Sequence, residues 1–535
     1  MTRKRACASA TLALLVGVGC AGTPRFADAP VVWHVHDRNH IPEPDEIEYY
    51  RISERLEQFA LRRLIRTLEV RDLEPAHNVN SFDEVPNSTW FTNRIGVRDV
   101  PPHEAALGAS REGPPKLPLE VTRGKSGGKN PGLVGEDAAG RKFVVKFDRM
   151  AHPEMETATN LIVNRIFWTL GYNVPNDTVF YFARDDLRLA KDATIEDEVG
   201  DERPMTVQDV NGVLDTTAVG PDRRYRASAS EFVPGIPKGG WPTEGVRPDD
   251  PNDVVRHEHR RELRGLRVFA AWLNHTDLKQ DNTLDTYVEE NGRKFLRHYL
   301  IDFGEAFAAF SAAGTRNANG FENWVDYRAQ PAAALSLGIW VRPWEPLEDT
   351  PWPSVGRFSA ENFDPETWQE MFPYWPFREA DAADKYWAAK LVMRFDRPLL
   401  RRIVQEGQLS HQQATEYLTD TLFERRTLIG KSYFQAVTPL DYFRIDARAL
   451  CAVDLSVRYG LVTSGLVQVL DVHDKPVFSQ LVDADGNICI PLPPDSHYRI
   501  YRLRVTRGIN EHPPMRVHFK GGKHARILGI ERLER

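Results

Sequence analysis

The stretch HTDLKQDN, residues 275–282, and the stretch LIDFGEAF, residues 300–307, decide how the chain is read. The first follows a helical pattern, RRELRGLRVFAAWLNH, whose Leu263, Leu266, Ala270 and Leu273 lie on one stripe. The second closes a hairpin pattern, TLDTYVEENGRKFLRHYLIDFG, with Asn291–Gly292 as its two-residue turn. A helix end thus delivers Asp277, Lys279 and Asn282, and a hairpin returns Asp302. Taken singly, Asp277 reads as a solvated residue after a helix and Asp302 as a satisfied turn residue. The ordered set is the informative feature. Its oxygens suit a hard divalent cation, and its lysine offsets anionic charge.

Upstream, RGKSGGKNPGLVGEDAAGRKFVVKFD reads as a loop and a hairpin, with the turn at Asp137–Gly140. The return strand KFVVKF carries Lys146 toward a cleft. HPEMETATNLIVNRIFWTLGYNVP is a helix with Pro153 in its first turn, Glu154 and Glu156 at its N-terminal end, and Gly171 closing it. YRASASEFVPG is a further strand. Residues 115–249 therefore read as strand-rich apart from one helix. Residues 250–440 read as helical, with DAADKYWAAKLVMRF, RPLLRRIVQEG and SHQQATEYLTDTLFERRTLIGKSYF as three helices. The stretch 320–375, rich in Pro and Trp, gives no readable period.

The ordered set of Lys, acidic helix, D-x-K-x-x-N, hairpin and DFG resembles the protein-kinase-like superfamily, whose loop reads H-R-D-L-K-x-x-N before D-F-G. Here Thr276 replaces the arginine, and the spacing of five from Asp277 to Asn282 is kept. The resemblance covers about residues 115–435. It implies an α+β, two-lobed fold with a β-rich N-lobe (115–249) and a helical C-lobe (250–440). It implies ATP or another nucleotide and Mg²⁺ as cofactors. Asp277 would take or orient the acceptor's proton, and Lys279 would offset charge on the transferred group. Asn282 and Asp302 would hold metal, and Lys146 would pair with phosphates beside an acidic helix residue. The short interval from Lys146 to that helix resembles the HipA-type and phosphoinositide-kinase branches. The latter place the acid eight residues on, which points first to Glu154 and second to Glu156. No G-x-G-x-x-G precedes the strand. The basic, Gly-rich RGKSGGKNPG, with Lys125 and Lys129, would cradle phosphate instead.

The ends of the chain add context. Arg3, Lys4 and Arg5 precede the apolar ATLALLVGVG and Cys20, which resembles a bacterial lipoprotein signal, with Gly17 where Leu is usual. The expectation is an exported chain, tethered by a lipid on Cys20 to the bilayer at the periplasmic face of the outer membrane or at the cell surface. Residues 21–114 would form a tether and an N-terminal segment with one amphipathic helix from Ile47 through Leu64. His34, His36 and His40 lie close together but read as surface residues. From 445 to 535, short alternating strands predict a small β-sandwich, a candidate surface for an envelope protein partner. Of the four cysteines, Cys451 and Cys489 remain for a disulfide in an oxidising compartment. DADGN, 483–487, lacks the closing Glu of a calcium loop and reads as a turn. The net charge of -7 gives no basic face for nucleic acid. Two functions fit. One is an exported phosphotransferase with an unknown acceptor (protein, lipid or small molecule). The other is an inactive kinase-like scaffold, which the scarcity of ATP outside the cytoplasm favours.

Overall fold

The computed structural model describes residues 25–47, 74–110, 112–124, 132–196, 201–312, 314, 319–337 and 339–532. The signal-like segment with Cys20, most of the expected helix between Ile47 and Leu64, and the loop with Lys125 and Lys129 lie outside these residues. The chain divides into two compact units. One holds residues 33–79 and 85–436, the other 1–32, 80–84 and 437–535.

The architecture is α+β. In the larger unit, strands β1 (Leu119–Gly124), β2 (Gly132–Glu136), β3 (Lys142–Phe147), β4 (Asp177–Phe182), β5 (Leu187–Glu196), β6 (Glu202–Pro204) and β7 (Tyr225–Glu231) form one sheet in the order β4-β7-β3-β2-β1-β5-β6. Lys146 thus sits on a central strand, opposite Gly132 and Ser228. The β2–β3 turn forms as its residues dictate. Asp137 accepts from the amides of Ala139 and Arg141, and Gly140 takes the left-handed conformation (φ 81°). Helix α1 (Met155–Leu170) follows β3 and ends at Gly171 (φ 137°). Its first turn is capped from outside the helix. Asp148 accepts from the amides of Glu156 and Thr157 and from the Thr157 hydroxyl, so the end of β3 and the start of α1 are tied together. A second helix in this lobe, α2 (Val207–Asp215), departs from the single helix read in the sequence. Its capping box, Thr206 with Asp209, is legible once sought.

The helical lobe is built on α3 (Arg261–Leu273), which is buried on nearly every side. A helix enclosed all round is a lobe's centre rather than its surface. Short α4 (Ala329–Leu335) lies in the Pro/Trp stretch, and α5 (Ala382–Met393), α6 (Arg397–Gln405) and α7 (Gln412–Ala436) match the three helices expected. Strand Ile236–Pro237 (β8) adds to the hairpin of β9 (Thr283–Glu290) and β10 (Arg293–Leu300). Asn291 (φ 51°) and Gly292 (φ 74°) both take positive φ, as a type I′ hairpin turn requires.

In the smaller unit, β11 (Leu440–Asp446), β12 (Ala449–Asp454) and β15 (Asn487–Pro491) form one sheet. The other contains β13 (Leu466–Leu470), β14 (Pro476–Leu481), β16 (Tyr498–Arg507), β18 (Met515–Lys520) and β19 (Arg526–Arg532), with β17 (Asn510–Glu511) on β16. Side chains from both sheets, among them Leu450, Ile488, Val467 and Leu503, share one core, as in a sandwich. Cys451 and Cys489 face each other across β12 and β15 and form the expected disulfide. Asp483 gives its carboxylate to the amides of Asp485 and Asn487, so DADGN is a turn.

Candidate active site

The hairpin register brings the two opening stretches together. Thr283 pairs with Leu300 at the open end of β9–β10, and the Ile301 amide donates to the Asn282 carbonyl (3.0 Å). Asp302 lies 25 residues after Asp277 (302 − 277), and that interval is spent on a closed detour. Helix α3 ends with Asn274 in the left-handed conformation, and a 3₁₀ turn over Gln280–Asn282 reverses the chain. Within this loop the Asn282 side-chain Nδ2 donates to the Asp277 carbonyl (2.6 Å) and carboxylate (3.2 Å). Lys279 Nζ bridges both Asp277 oxygens at 2.8 Å and lies 5.0 Å from the Phe372 ring centroid.

Asp302 sits at φ 63°, a conformation that Asp tolerates better than most residues, and meets Lys146 Nζ at 2.5 Å. Phe303 turns inward. Its amide donates to Asn160 Oδ1 on α1 (3.1 Å), and its ring stacks on Phe167 and meets the edge of buried His275. Asn160 and Asn164 in turn donate to Asp177, so hydrogen bonds link α1, β4 and the DFG segment. His275 has no hydrogen-bond partner on either ring nitrogen, and burial pulls its pKa down to about 4. It is a neutral packing group here.

The acidic helix residue differs from the first expectation. Glu154 lies at the helix N-cap with φ 69°, and its carboxylate accepts from the amide (2.9 Å) and hydroxyl (3.2 Å) of Ser410. The outward turn that starts α1 aims it at the helical lobe. Glu156, one step inside the helix, is the buried acid that feels the charges of Lys146 and Asp302, and it also faces Arg149 at 3.9 Å. Burial and the neighbouring Asp148 push its pKa up to about 8.

Sequence reasoning missed Glu305, three residues past Asp302. It is 9% exposed, and its Oε2 has no hydrogen-bond partner. Burial, then Asp302 and Asp277, raise its pKa well above the usual range. Asp277 is likewise raised, first by burial. Four carboxylates (Glu156, Asp277, Asp302, Glu305) thus share a buried cleft with Lys146 and Lys279. Such a crowding of carboxyl groups, one with an orphaned oxygen, fits a divalent cation held by carboxylate oxygens, which would displace their protons.

A second cluster lies elsewhere in this unit. The ligand atoms of Glu74, His77 and His259 fall within 4.8 Å of one another. The Arg264 guanidinium donates to His259 Nδ1 (2.8 Å), which leaves the ring proton on the Nε2 that faces the other two. That tautomer opposes metal. His34 and His40 are engaged separately, with Asn87 and with the Lys294 amide.

No family model and no curated protein matches the chain. Among solved structures it is similar to the crystal structure of the Golgi casein kinase, at 11% identity and a TM-score of 0.30, over 59% of this chain and 71% of that one. It is also similar to the structure of the Golgi casein kinase with Mn/ADP bound, at 11% identity and a TM-score of 0.31, over 74% of this chain and 94% of the other. Likeness at this level carries nothing about activity, and what the cleft can do follows from its own side chains.

Proposed function

We propose that this chain is a kinase-like phosphotransferase of an atypical, HipA-like branch, which moves a phosphoryl group from a nucleoside triphosphate to a hydroxyl-bearing acceptor. The observation that supports this best is the convergence of Lys146, Asp277, Lys279, Asn282 and Asp302, from three separate segments, beside Glu305, whose Oε2 has no hydrogen-bond partner.

Asp302, Asn282 and Glu305 would hold a divalent cation. When bound, it neutralises charge on the nucleotide phosphates. Lys146 would exchange Asp302 for the α- and β-phosphates. In the transfer, the acceptor oxygen forms a bond to the γ-phosphorus while the bond from that phosphorus to the bridging oxygen breaks. The acceptor's proton goes to Asp277, and the nucleoside diphosphate leaves. Asn282 keeps Asp277 oriented, and Lys279 offsets charge on the group in flight. A lipidated Cys20 would fix the chain at the periplasmic face of the outer membrane or at the cell surface.

The bidentate Lys279–Asp277 pair supports a second reading, a nucleotide-binding scaffold without turnover, because both oxygens of the proposed base are engaged. Calorimetry with ATP and Mg²⁺ or Mn²⁺, followed by a transfer assay, separates the two. Metal-dependent binding with release of diphosphate supports the enzyme. Binding without release supports the scaffold, and no metal-dependent binding sinks both.

A further inference from the structure

Residues 329 through 341, AQPAAALSLGIWV, are thirteen in a row without a charge, and their only polar side chains are Gln330 and Ser336. Such a run belongs in a core, yet no described residue of it is buried. Leu335 is 84% exposed, Leu337 90% and Ile339 85%, and Trp340 and Val341 are exposed beside them. Scattered surface leucines need no explanation, but a contiguous apolar projection does.

The flanks say what covers it. Arg328 precedes the run, with exposed Trp324 and Tyr327 before it and exposed Trp340 at its far end. Apolar residues between aromatic and cationic anchors match the layers of a bilayer surface, where acyl chains lie beneath an interface that favours Trp, Tyr and Arg. Part of the backbone is already paired within the segment. The amides of Gln330, Ala332, Ser336, Leu337 and Ile339 donate to carbonyls of Asp326, Arg328, Ala332, Ala334 and Ser336, and the Ser336 hydroxyl donates to Ala333. A protein partner would find almost no polar group here to set its register, whereas lipid needs none.

The projection stands on a fixed base. Arg342 and Trp344 both donate to the buried carboxylate of Glu322 (2.7 Å each), and the Trp324 amide donates to the Met371 carbonyl (2.8 Å). Met371 in turn donates to the Thr276 carbonyl, within the D-x-K loop. We infer that residues 329–341 form a lipid-inserting loop that seats the helical lobe on a phospholipid bilayer, independently of any lipid on Cys20. Acidic Asp326 and Glu345 flank the run in sequence, so insertion depends on the apolar run rather than on anionic lipid.

The test is vesicle flotation of the full chain carrying Cys20→Ser, with phosphatidylcholine vesicles containing or lacking a minority of phosphatidylglycerol. Hydrogen exchange is read on the same samples. Vesicles of both kinds should protect the amides of 335–341. Adding Leu337→Asp with Ile339→Asp should weaken vesicle binding by at least about tenfold, because two inserted aliphatic side chains become charged. Circular dichroism should be unchanged, since neither residue packs in the core, and Leu337→Phe should bind like its parent. Equal flotation of the double variant, or no vesicle-dependent protection of 335–341, overturns the inference. Concentration-dependent protection without vesicles, with a dimer in sedimentation, overturns it in favour of a second copy of the chain.

Discussion

Two buried polar clusters lie in the same unit and are built on opposite rules. Beside Trp90, both carboxylate oxygens of Asp253 and of Asp285 have donors. Asp253 receives His257 Nε2 (2.8 Å), Arg260 (2.7 Å) and the Arg247 amide, and Asp285 receives Arg247 (3.0 Å) and His298 (2.6 Å). Trp90 stacks on His298 at 3.6 Å, with Arg260 4.4 Å from its centroid. Despite its burial, Asp253 is held far below the usual carboxylate range by His257 and Arg260. In the cleft, burial wins, and Glu305, Asp277 and Glu156 are all raised. A matched cluster holds a fold together. An unmatched one holds free energy in reserve for a ligand that supplies the missing charge.

The comparison is broken most severely in the cleft. Asp277→Ala should leave metal-dependent nucleotide binding nearly intact and cut transfer by on the order of 10²–10⁴, the range for a lost acid–base group. Asp302→Ala and Lys146→Ala should weaken binding as well, because both act on the ground state. Calorimetry paired with single-turnover assays reads both effects. Equal loss of binding in all three variants would remove Asp277 from the role of base.

In the matched cluster the cost falls on stability. Asp253→Ala leaves buried Arg260 with only the longer Glu262 contact (3.6 Å), and breaking a buried pair from one side costs about 3–5 kcal/mol. Urea unfolding should show that loss, while nucleotide affinity of the folded fraction stays at the parent value. Affinity that falls in step with stability would mean that the two clusters are coupled.

Glu156 sharpens the contrast through pH. Its pKa is 4.5 unperturbed and about 8 folded. Between those values the folded state binds the extra proton, so stability should fall as pH rises from about 4.5 to 8. The upper bound on the loss is roughly 5 kcal/mol at 1.36 kcal/mol per unit, and relaxation makes it smaller. Glu156→Gln should flatten this part of the stability profile. Parallel profiles for the two proteins would place Glu156 in a wetter setting than the structure shows.

The sequence made the cleft legible because its residues lie in short motifs with fixed spacing. Asp277, Asn282 and Asp302 needed only a hairpin to meet, and Asn291–Gly292 announced it. The three helices after residue 380 were legible by period. Residue counting ranked Glu154 ahead of Glu156 because counting ignores direction. The left-handed turn at its own position sends it to Ser410, and Asp148 caps the helix instead. Glu305 and Asn160 were invisible because nothing in a linear pattern marks a residue whose importance is the partner it lacks or the loop it pins. The exposed apolar run at 329–341 was hidden because the Pro- and Trp-rich stretch around it gives no readable period.

The smallest effect is also the most discriminating. If Glu305 is simply a protonated carboxyl kept for packing, Glu305→Gln replaces it with a neutral group of nearly the same shape and changes little. If it belongs to the cation site, the same variant removes a ligand charge and leaves the metal-free protein as stable as before or slightly more so. Its neutral amide suffers neither the burial nor the repulsion that Asp302 and Asp277 impose on the carboxylate. Mg²⁺ or Mn²⁺ affinity in the presence of nucleotide should then fall by about 10- to 100-fold, the usual consequence of disturbing a group at or beside a metal. Melting curves with and without metal give both readings from one sample. Equal metal-induced shifts in the two proteins would return Glu305 to the matched kind of cluster, with a proton as its partner.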